Sequence, residues 1–318
     1  MNTRLGLLLL VATGAASGCK GNGDRAAPAT GPAYVIEEPA EVDVYALRLF
    51  NGVSGAAMSW DDLVRAASEA DIVLIGEWHG HPIGLAAAAR LWEQVAANVP
   101  TAALSLEFFE RDEQVALDDY LMGVTKAEED FLVASGRSPG NYPAGHRAMV
   151  EATKANGQPV VAANAPRRYV TMGRTEGLDA LRRLNEEQRR LFVIPESLTE
   201  GRYREKFFEM MEEHVDPANP DAPPVDGEGY YRAQNIWDAT MADSILRAAA
   251  AGRRPVVHVV GQMHCDYSGG TVSRIAENRS DILVWTISMV TEWSQTLREE
   301  DRGRADCVIY VGPSEERD

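Results

Sequence analysis

Basic side chains are scarce in this chain of 318 residues, which carries 31 Lys and Arg against 48 Asp and Glu and has a formal net charge of -17. No block rich in Lys or Arg interrupts that acidic character. Because nucleic acid is itself a polyanion, a chain of this charge has no electrostatic route to it. The composition therefore predicts that nucleic acid is not a partner.

Cysteine is rare as well, with three residues in the whole chain, and neither C-x-x-C nor H-E-x-x-H occurs. These are the patterns that make metal binding a strong prediction, so any metal site here has to be argued from other residues. Cys265 and Cys307 are the two cysteines expected inside the fold. The sequence leaves open whether they form a disulfide, which an exported location permits, or stay as buried free thiols.

An apolar run long enough to span a membrane is also missing from the N-terminus. Arg4 is followed by a short apolar stretch and by small residues up to Gly18, which is typical of a signal peptide over residues 1–18. Cys19 directly follows and matches a bacterial lipoprotein cleavage site, so it is the predicted lipidation site and membrane anchor. The alternative is a secreted protein in which Cys19 is coincidental. Residues 19–39, rich in Gly, Ala and Pro, are predicted to form a flexible lipidated tether.

Beyond residue 40, apolar strand-like runs alternate with helical patterns. Uninterrupted apolar runs suit strands that are buried on both faces of a parallel sheet. We therefore predict a single α/β domain over 40–318, with a mainly parallel sheet of about six strands flanked by helices. Long helical insertions at about 111–156 and 165–254 are expected to form a helical cap over the carboxyl edge of the sheet. The six predicted strands are 72–75, 102–106, 160–163, 256–260, 282–287 and 308–311.

Two of these runs end in the same motif, Gly-x-x-His, at 76–79 and 261–264. Ligands collect at the carboxyl ends of parallel strands, so His79 and His264 are expected to face one cleft. Glu77 and Glu107 stand at matching strand ends. These four residues are the predicted catalytic acid–base set, and Glu77, His79 and His264 are alternatively the ligands of a divalent metal ion. The plainer alternative is that Glu77 caps the following helix and His79 is a surface imidazole.

Two further groups of residues could bind a ligand. Asn164 and Arg167 follow the third strand, where arginine could clamp an anionic group, although Asn164 could instead cap the next helix. Tyr142 and His146 belong to an aromatic, sulfur-rich group in the predicted cap. Such a group could line an apolar slot with Tyr or His as axial haem ligand, or could simply form the core between helices. His258, in mid-strand, is expected to be a core residue.

Five segments resemble one known family in the same order along the chain. The resemblance runs from about Ala56 to Ile287 and points to the ChaN family of haem-binding lipoproteins, within the wider superfamily of Tiki, TraB and erythromycin-esterase-like proteins. The segments are "DIVLIGEWHGHP", "LSLEFFER", "VVAANAPRRYV", "YYRAQNIWDATMADSI" and "VVGQMHCDYSGGTVSRI".

The resemblance implies a lipid-anchored protein of the bacterial cell envelope, at the outer membrane facing the periplasm, that binds haem and serves iron uptake. Tyr142 and His146 become candidate haem ligands, and Gln234 and Asp238 join Asn164 and Arg167 as candidate substrate-binding residues. Through its Tiki relatives the resemblance also implies a metal-dependent hydrolase as the alternative function. The expected partner is haem or another small molecule, and the oligomeric state is open between a monomer and a homodimer.

Overall fold

The computed structural model describes residues 40–137, 141–213 and 226–313. The predicted signal peptide, the tether and Cys19 lie outside the described residues, so the division of the chain into these segments and one domain stays a prediction. None of the helices in the described part is long and apolar enough to cross a membrane.

Among the described residues, eight strands form one sheet. They are β1 (Arg48–Asn51), β2 (Ala57–Met58), β3 (Ile72–Glu77), β4 (Ala103–Glu110), β5 (Val160–Asn164), β6 (Val256–Gly261), β7 (Val284–Val290) and β8 (Cys307–Tyr310). Their order across the sheet is β2-β1-β8-β7-β3-β6-β4-β5. The six strands from β8 to β5 are mutually parallel, whereas β1 pairs antiparallel with both β2 and β8.

The predicted fold class is confirmed, but the prediction of about six strands is too low by two. The six predicted strands are the parallel ones, and their apolar runs reflect burial on both faces. The two additional strands, β1 and β2, contain four and two residues and lie at one edge of the sheet. β8 is as short as β1, but its residues form an uninterrupted apolar run, whereas β1 contains two apolar residues between Arg48 and Asn51 and β2 is too short to show a pattern.

Eleven α-helices surround the sheet in the described part of the chain. They are α1 (Trp60–Glu69), α2 (Pro82–Asn98), α3 (Gln114–Leu121), α4 (Glu128–Ala134), α5 (Ala144–Ala155), α6 (Arg167–Glu176), α7 (Leu178–Arg182), α8 (Glu186–Arg189), α9 (Arg202–Glu213), α10 (Gly227–Ala250) and α11 (Gly270–Asn278). The two predicted helical insertions supply α3 to α5 and α6 to α10. Both insertions send side chains to the carboxyl edge of the sheet, His146 from α5 and Asp238 from α10.

The strand order places three strand ends side by side. After β3 the chain forms β4 and β5 on one side of the sheet and then returns, so that β6 lies between β3 and β4. A reversal of this kind leaves a crevice beyond the carboxyl ends of the strands, where α/β proteins bind ligands. Here the crevice is bordered by Glu77 at the end of β3, Glu107 in β4 and the residues that follow Gly261 in β6.

The two cysteines of the fold are both free and buried, Cys265 just after β6 and Cys307 at the start of β8. The structure thus favours the free-thiol alternative over a disulfide. Burial in apolar surroundings raises the pKa of Cys307 above 9, its ordinary value, so this thiol stays protonated.

Candidate functional site

The two Gly-x-x-His motifs pack against each other. In the parallel pairing of β3 and β6, Glu77 of the first motif stands opposite Gly261 of the second. A Cβ atom at position 261 would lie 2.8 Å from Nε2 of His79, and one at position 76 would lie 2.7 Å from Sγ of Cys265. Glycine is therefore required at both positions, because His79 of the first motif approaches the backbone of Gly261 and Cys265, directly after the second motif, approaches the backbone of Gly76.

Glu77 is the buried centre of the first half of the site. Its side chain is 4% exposed, and its two oxygens accept hydrogen bonds from Nδ1 of His79 at 3.0 Å and from Nε2 of His146 at 3.1 Å. Burial by itself would raise the pKa of Glu77, but the two neighbouring imidazoles outweigh it and hold that pKa well below its usual range. Glu77 is therefore a carboxylate, and it fixes the orientation of both histidines.

His79 differs from the rest of the site because its side chain is 55% exposed. Its Nδ1 donates to Glu77, and among the described residues none forms a hydrogen bond with Nε2, which lies over Gly261. Desolvation by itself would lower the pKa of His79, but the hydrogen bond to Glu77 and the charge of Glu107 raise it to about 9. With that pKa the His79 ring is protonated near neutral pH, so a metal that binds Nε2 would displace a proton, while the carboxylate of Glu77 fixes the orientation of the ring.

Glu107 connects the two halves of the site. It lies where the pairing of β4 with β5 becomes irregular, a feature that redirects side chains at strand ends. Its Oε2 accepts the N–H of Gly261 at 2.7 Å, and its Oε1 lies 3.6 Å from Nε2 of His264. Burial opposes ionisation of Glu107, yet the charges of His264 and His79 keep its pKa below the ordinary value.

The second half of the site is buried around Asp238 of α10. The side chain of His264 is 7% exposed, and its Nδ1 donates to Oδ1 of Asp238 at 2.7 Å. Asp238 is fully buried and also accepts hydrogen bonds from the hydroxyls of Tyr203, at 2.6 Å, and Thr271, at 3.0 Å. Burial by itself would lower the pKa of His264, but Asp238 and Glu107, which lie on either side of the ring, raise it above its ordinary value.

Two of the predicted substrate-binding residues belong to this buried half. Asp238 orients His264, and Nε2 of Gln234 lies 3.3 Å from Nδ1 of His264 and 3.1 Å from the hydroxyl of Tyr203. Both side chains are less than one-tenth exposed, so they hold other residues of the site in place. Tyr203 and Thr271 are missing from the sequence prediction, because nothing in the pattern of α9 or α11 distinguishes them from ordinary helix residues.

Asn164 and Arg167 do not join the cluster. The side chain of Asn164 accepts the N–H of Ala165, while the residue that caps α6 is Pro166. The capping alternative for Asn164 is therefore wrong. Arg167 begins α6 and is exposed. Both residues lie at the end of the edge strand β5, and their predicted role in substrate binding stays a prediction.

Tyr142 and His146, the predicted haem ligands, lie inside the protein. Tyr142 is 8% exposed, its ring stacks on Phe108 with centroids 5.6 Å apart, and its hydroxyl has no hydrogen-bond partner among the described residues. Burial raises the pKa of Tyr142 well above 10. His146 is 5% exposed, packs on the same phenylalanine and is bonded to Glu77. In this arrangement both residues belong to the core that supports the site.

His258 is a core residue, as expected. It is fully buried in β6 and shares a hydrogen bond of 2.9 Å between its Nδ1 and the hydroxyl of Ser105. Burial lowers the pKa of His258 to about 4, so it is neutral. His81, between the first motif and α2, is likewise buried and serves as the N-cap of that helix, with Nδ1 accepting the N–H of Gly84.

The predicted metal ligands Glu77, His79 and His264 are not gathered around one point. Within residues 40–137, 141–213 and 226–313, no group of three or more His, Cys, Asp or Glu side chains is arranged to hold a metal ion. Glu77 uses its two oxygens for His79 and His146, and Nδ1 of His264 is bonded to Asp238. Of the three predicted metal ligands, only His79 has an atom, Nε2, that forms no hydrogen bond with the described residues.

The fold and site define an α/β protein with a cluster of histidine and carboxylate side chains at the carboxyl edge of its parallel strands. The family model described as "Haem-binding uptake, Tiki superfamily, ChaN" matches residues 63–275. The match covers more than half of the chain, and the chain therefore belongs to the ChaN family. No curated protein matches it.

Solved structures similar to this chain include one that shows cofacial haem binding to ChaN of Campylobacter jejuni. The two chains share 14% sequence identity with a TM-score of 0.62, over 83% of this chain and 96% of that one. The type III effector HopBA1 has 15% identity and a TM-score of 0.45, over 85% of this chain and 98% of the effector. A mutant of the erythromycin esterase EreC in its open conformation has 12% identity and a TM-score of 0.42, over 83% of each chain.

Proposed function

We propose that this protein binds haem in the crevice at the carboxyl edge of its sheet, with Nε2 of His79 as the axial ligand of the iron. Membership of a family of haem-binding uptake proteins supports haem as the ligand. The observation that carries the assignment to His79 is its geometry. The imidazole is about half exposed, is bonded through Nδ1 to buried Glu77, and has no hydrogen-bond partner at Nε2 among the described residues.

The physical argument rests on the carboxylate behind the imidazole. Histidines that bind metals almost always donate their other N–H to a carboxylate or carbonyl, which fixes the tautomer and raises the basicity of the ligating nitrogen. Glu77 does this for His79, and His146 in turn holds Glu77 from the other side. Haem supplies an iron with an axial position that imidazole can fill. Tyr142 and His146 support this arrangement from the core.

The test is a titration of the full-length protein with haemin, followed by the Soret absorption. We expect saturable binding by the natural chain and a loss of at least about 100-fold in affinity for His79→Ala, more than the loss expected for a supporting residue. Free imidazole added to His79→Ala is the matched control and should restore the spectrum. Unchanged binding by His79→Ala would remove His79 from the proposal, and no binding by the natural chain would remove haem.

A second candidate function, acid–base hydrolysis, is favoured by one specific observation. Asp238, His264 and Glu107 form a line of carboxylate, imidazole and carboxylate, an arrangement that can hold and move a proton. A screen of ester and peptide substrates should then find a turnover that Glu107→Gln abolishes, with or without added divalent metal ions. Identical rates for Glu107→Gln and the natural chain would eliminate this candidate.

The proposal includes a lipid anchor at Cys19 and a location at the outer membrane, facing the periplasm, where the protein would serve haem or iron uptake. The sequence around Cys19 supports it. Mass spectrometry of the mature protein should find acyl groups on an N-terminal Cys19, and Cys19→Ser should release the protein from the membrane fraction. A mature N-terminus elsewhere, without acyl groups, would contradict the anchor.

A further inference from the structure

The cap helix α9 reaches the buried half of the site through one hydroxyl group. We infer that Tyr203 is a positioning residue that fixes Asp238, and through Asp238 fixes His264 and Glu107 beneath the crevice. The expected effect of Tyr203 on haemin affinity rests on the proposed function, whereas its expected effect on the orientation of His264 does not. Tyr203 belongs to the segment between β5 and β6, outside every motif that marks the site in the sequence.

The geometry around Asp238 supports this role. The hydroxyl of Tyr203 donates to one carboxylate oxygen, Oδ2, at 2.6 Å, while Nδ1 of His264 donates to the other, Oδ1, at 2.7 Å. A carboxylate that is bonded at both oxygens from different sides cannot rotate without breaking a charge-assisted hydrogen bond. Because Asp238 is fully buried, no solvent water is in contact with it to take the place of a lost donor.

The direction of the Tyr203 hydroxyl proton is also determined. Its oxygen accepts a hydrogen bond from Nε2 of Gln234 at 3.1 Å, so its own proton is directed to Asp238. Burial and the charge of Asp238 raise the pKa of Tyr203 well above 10, so the hydroxyl remains a donor. The ring is fixed as well, since a Cβ at position 269 would lie 2.6 Å from its Cδ2, which explains why Gly269 is needed there.

From Tyr203 the contacts continue to the open side of the crevice. Asp238 is bonded to Nδ1 of His264, and Nε2 of His264 lies 3.6 Å from Glu107. Glu107 in turn accepts the N–H of Gly261, and the ring of His79 lies over that glycine. Removal of the Tyr203 hydroxyl leaves Oδ2 of Asp238 without its donor, while Thr271 and His264 remain bonded to Oδ1, so the carboxylate is fixed from one side alone and holds the His264 ring less firmly. The effect on a ligand at His79 is indirect, and we expect a loss of about three- to tenfold in haemin affinity, below the effect of direct supporting residues.

The experiment compares Tyr203→Phe with Tyr231→Phe in the full-length protein labelled with ¹⁵N-histidine. Tyr231 is the matched control, because it is a buried tyrosine of the same aromatic cluster whose hydroxyl bonds the carbonyl of Thr199 instead of Asp238. In Tyr203→Phe the Nδ1–H resonance of His264 should move and exchange faster with water, and haemin affinity should fall. In Tyr231→Phe both should stay as in the natural chain.

If Tyr203→Phe fails to fold, 3,5-difluorotyrosine at position 203 is the second variant, because it keeps the hydroxyl and makes it a stronger donor. Loss of the donor and a stronger donor should shift the His264 resonance in opposite directions. A His264 resonance that neither change moves overturns the inference while leaving haem binding intact. If the natural chain does not bind haemin, the proposed function fails, but the resonance of His264 still decides the role of Tyr203.

Discussion

The two Gly-x-x-His motifs share their spacing and their place at a strand end, yet their histidines differ in environment. The side chain of His79 is 55% exposed and has one carboxylate partner, whereas that of His264 is 7% exposed and lies between two carboxylates. The helices around each motif explain the difference. After His79 the chain turns at once into α2. His264 is bonded to Asp238 of α10, a helix that precedes the second motif in the chain, and Asp238 is itself bonded to Tyr203 of α9. The motif places a histidine at the carboxyl edge of the sheet, and the helices that pack over that histidine determine whether its side chain is accessible to a ligand.

The largest expected effect is on stability and lies in the buried half. Asp238→Ala leaves His264, Tyr203 and Thr271 without their common acceptor in a site closed to water, so the free energy of unfolding should fall by about 3–5 kcal/mol. Asp179→Ala is the control, since Asp179 forms a surface ion pair with Arg182 and its side chain is 82% exposed; its loss should change stability by at most about 1 kcal/mol. Urea unfolding measures both, and equal effects would contradict the contrast between buried and exposed residues.

A second prediction concerns pH and the strand that carries the buried motif. The folded pKa of His258 is about 4, below its unfolded value of 6.5, so protons favour the unfolded chain. The stability that neutral His258 contributes is fully present above pH 6.5 and is lost as pH falls through 4. At pH 4 the loss in the free energy of unfolding amounts to about 3 kcal/mol.

Urea unfolding of the natural chain and of His258→Asn at several values between pH 7 and pH 4 measures that contribution. The natural chain should lose stability more steeply, because only it takes up this proton on unfolding. Both chains share the same acidic groups, so the contribution of these groups to the pH dependence cancels when the two slopes are compared. Parallel slopes would show that His258 does not titrate on unfolding.

A third prediction tests the comparison from the exposed side. Glu77→Gln removes the charge that supports His79 and should weaken haemin binding by about 10–100-fold. Glu110→Gln is the matched control, because this glutamate ends β4 at the same sheet edge without a histidine partner, and it should leave affinity within about twofold. Titration with haemin measures the affinity of both variants. Equal losses would mean that the total negative charge at this edge of the sheet determines haemin affinity, and not the hydrogen bond from His79 to Glu77.

Much of the fold could be predicted because its signals are local. The runs in β3 and β6 are apolar at nearly every position, and Ser59 with Asp62 forms the capping box that begins α1. The position of the two motifs at one edge of the sheet followed from its parallel strands, whereas the register of Glu77 with Gly261, which makes their strands neighbours, is seen in the structure alone.

The details of the site could not be predicted, because they depend on contacts that are distant in sequence. Glu77 meets His146 across 69 residues, and Asp238 meets Tyr203 across 35. No local pattern reveals that Tyr142 is buried in an aromatic cluster while His79 is exposed. The exposure of a side chain at a strand end depends on which helices pack over it. The sequence pattern predicts that these helices exist but not where they pack.

The most direct test of His79 as the iron ligand is pulsed EPR of the ferric haem complex formed by the full-length protein labelled with ¹⁵N-histidine. We predict a hyperfine coupling from one histidine nitrogen in the natural chain and in Tyr231→Phe, and no such coupling in His79→Ala. A histidine coupling that persists in His79→Ala would place the ligand elsewhere and contradict the central claim.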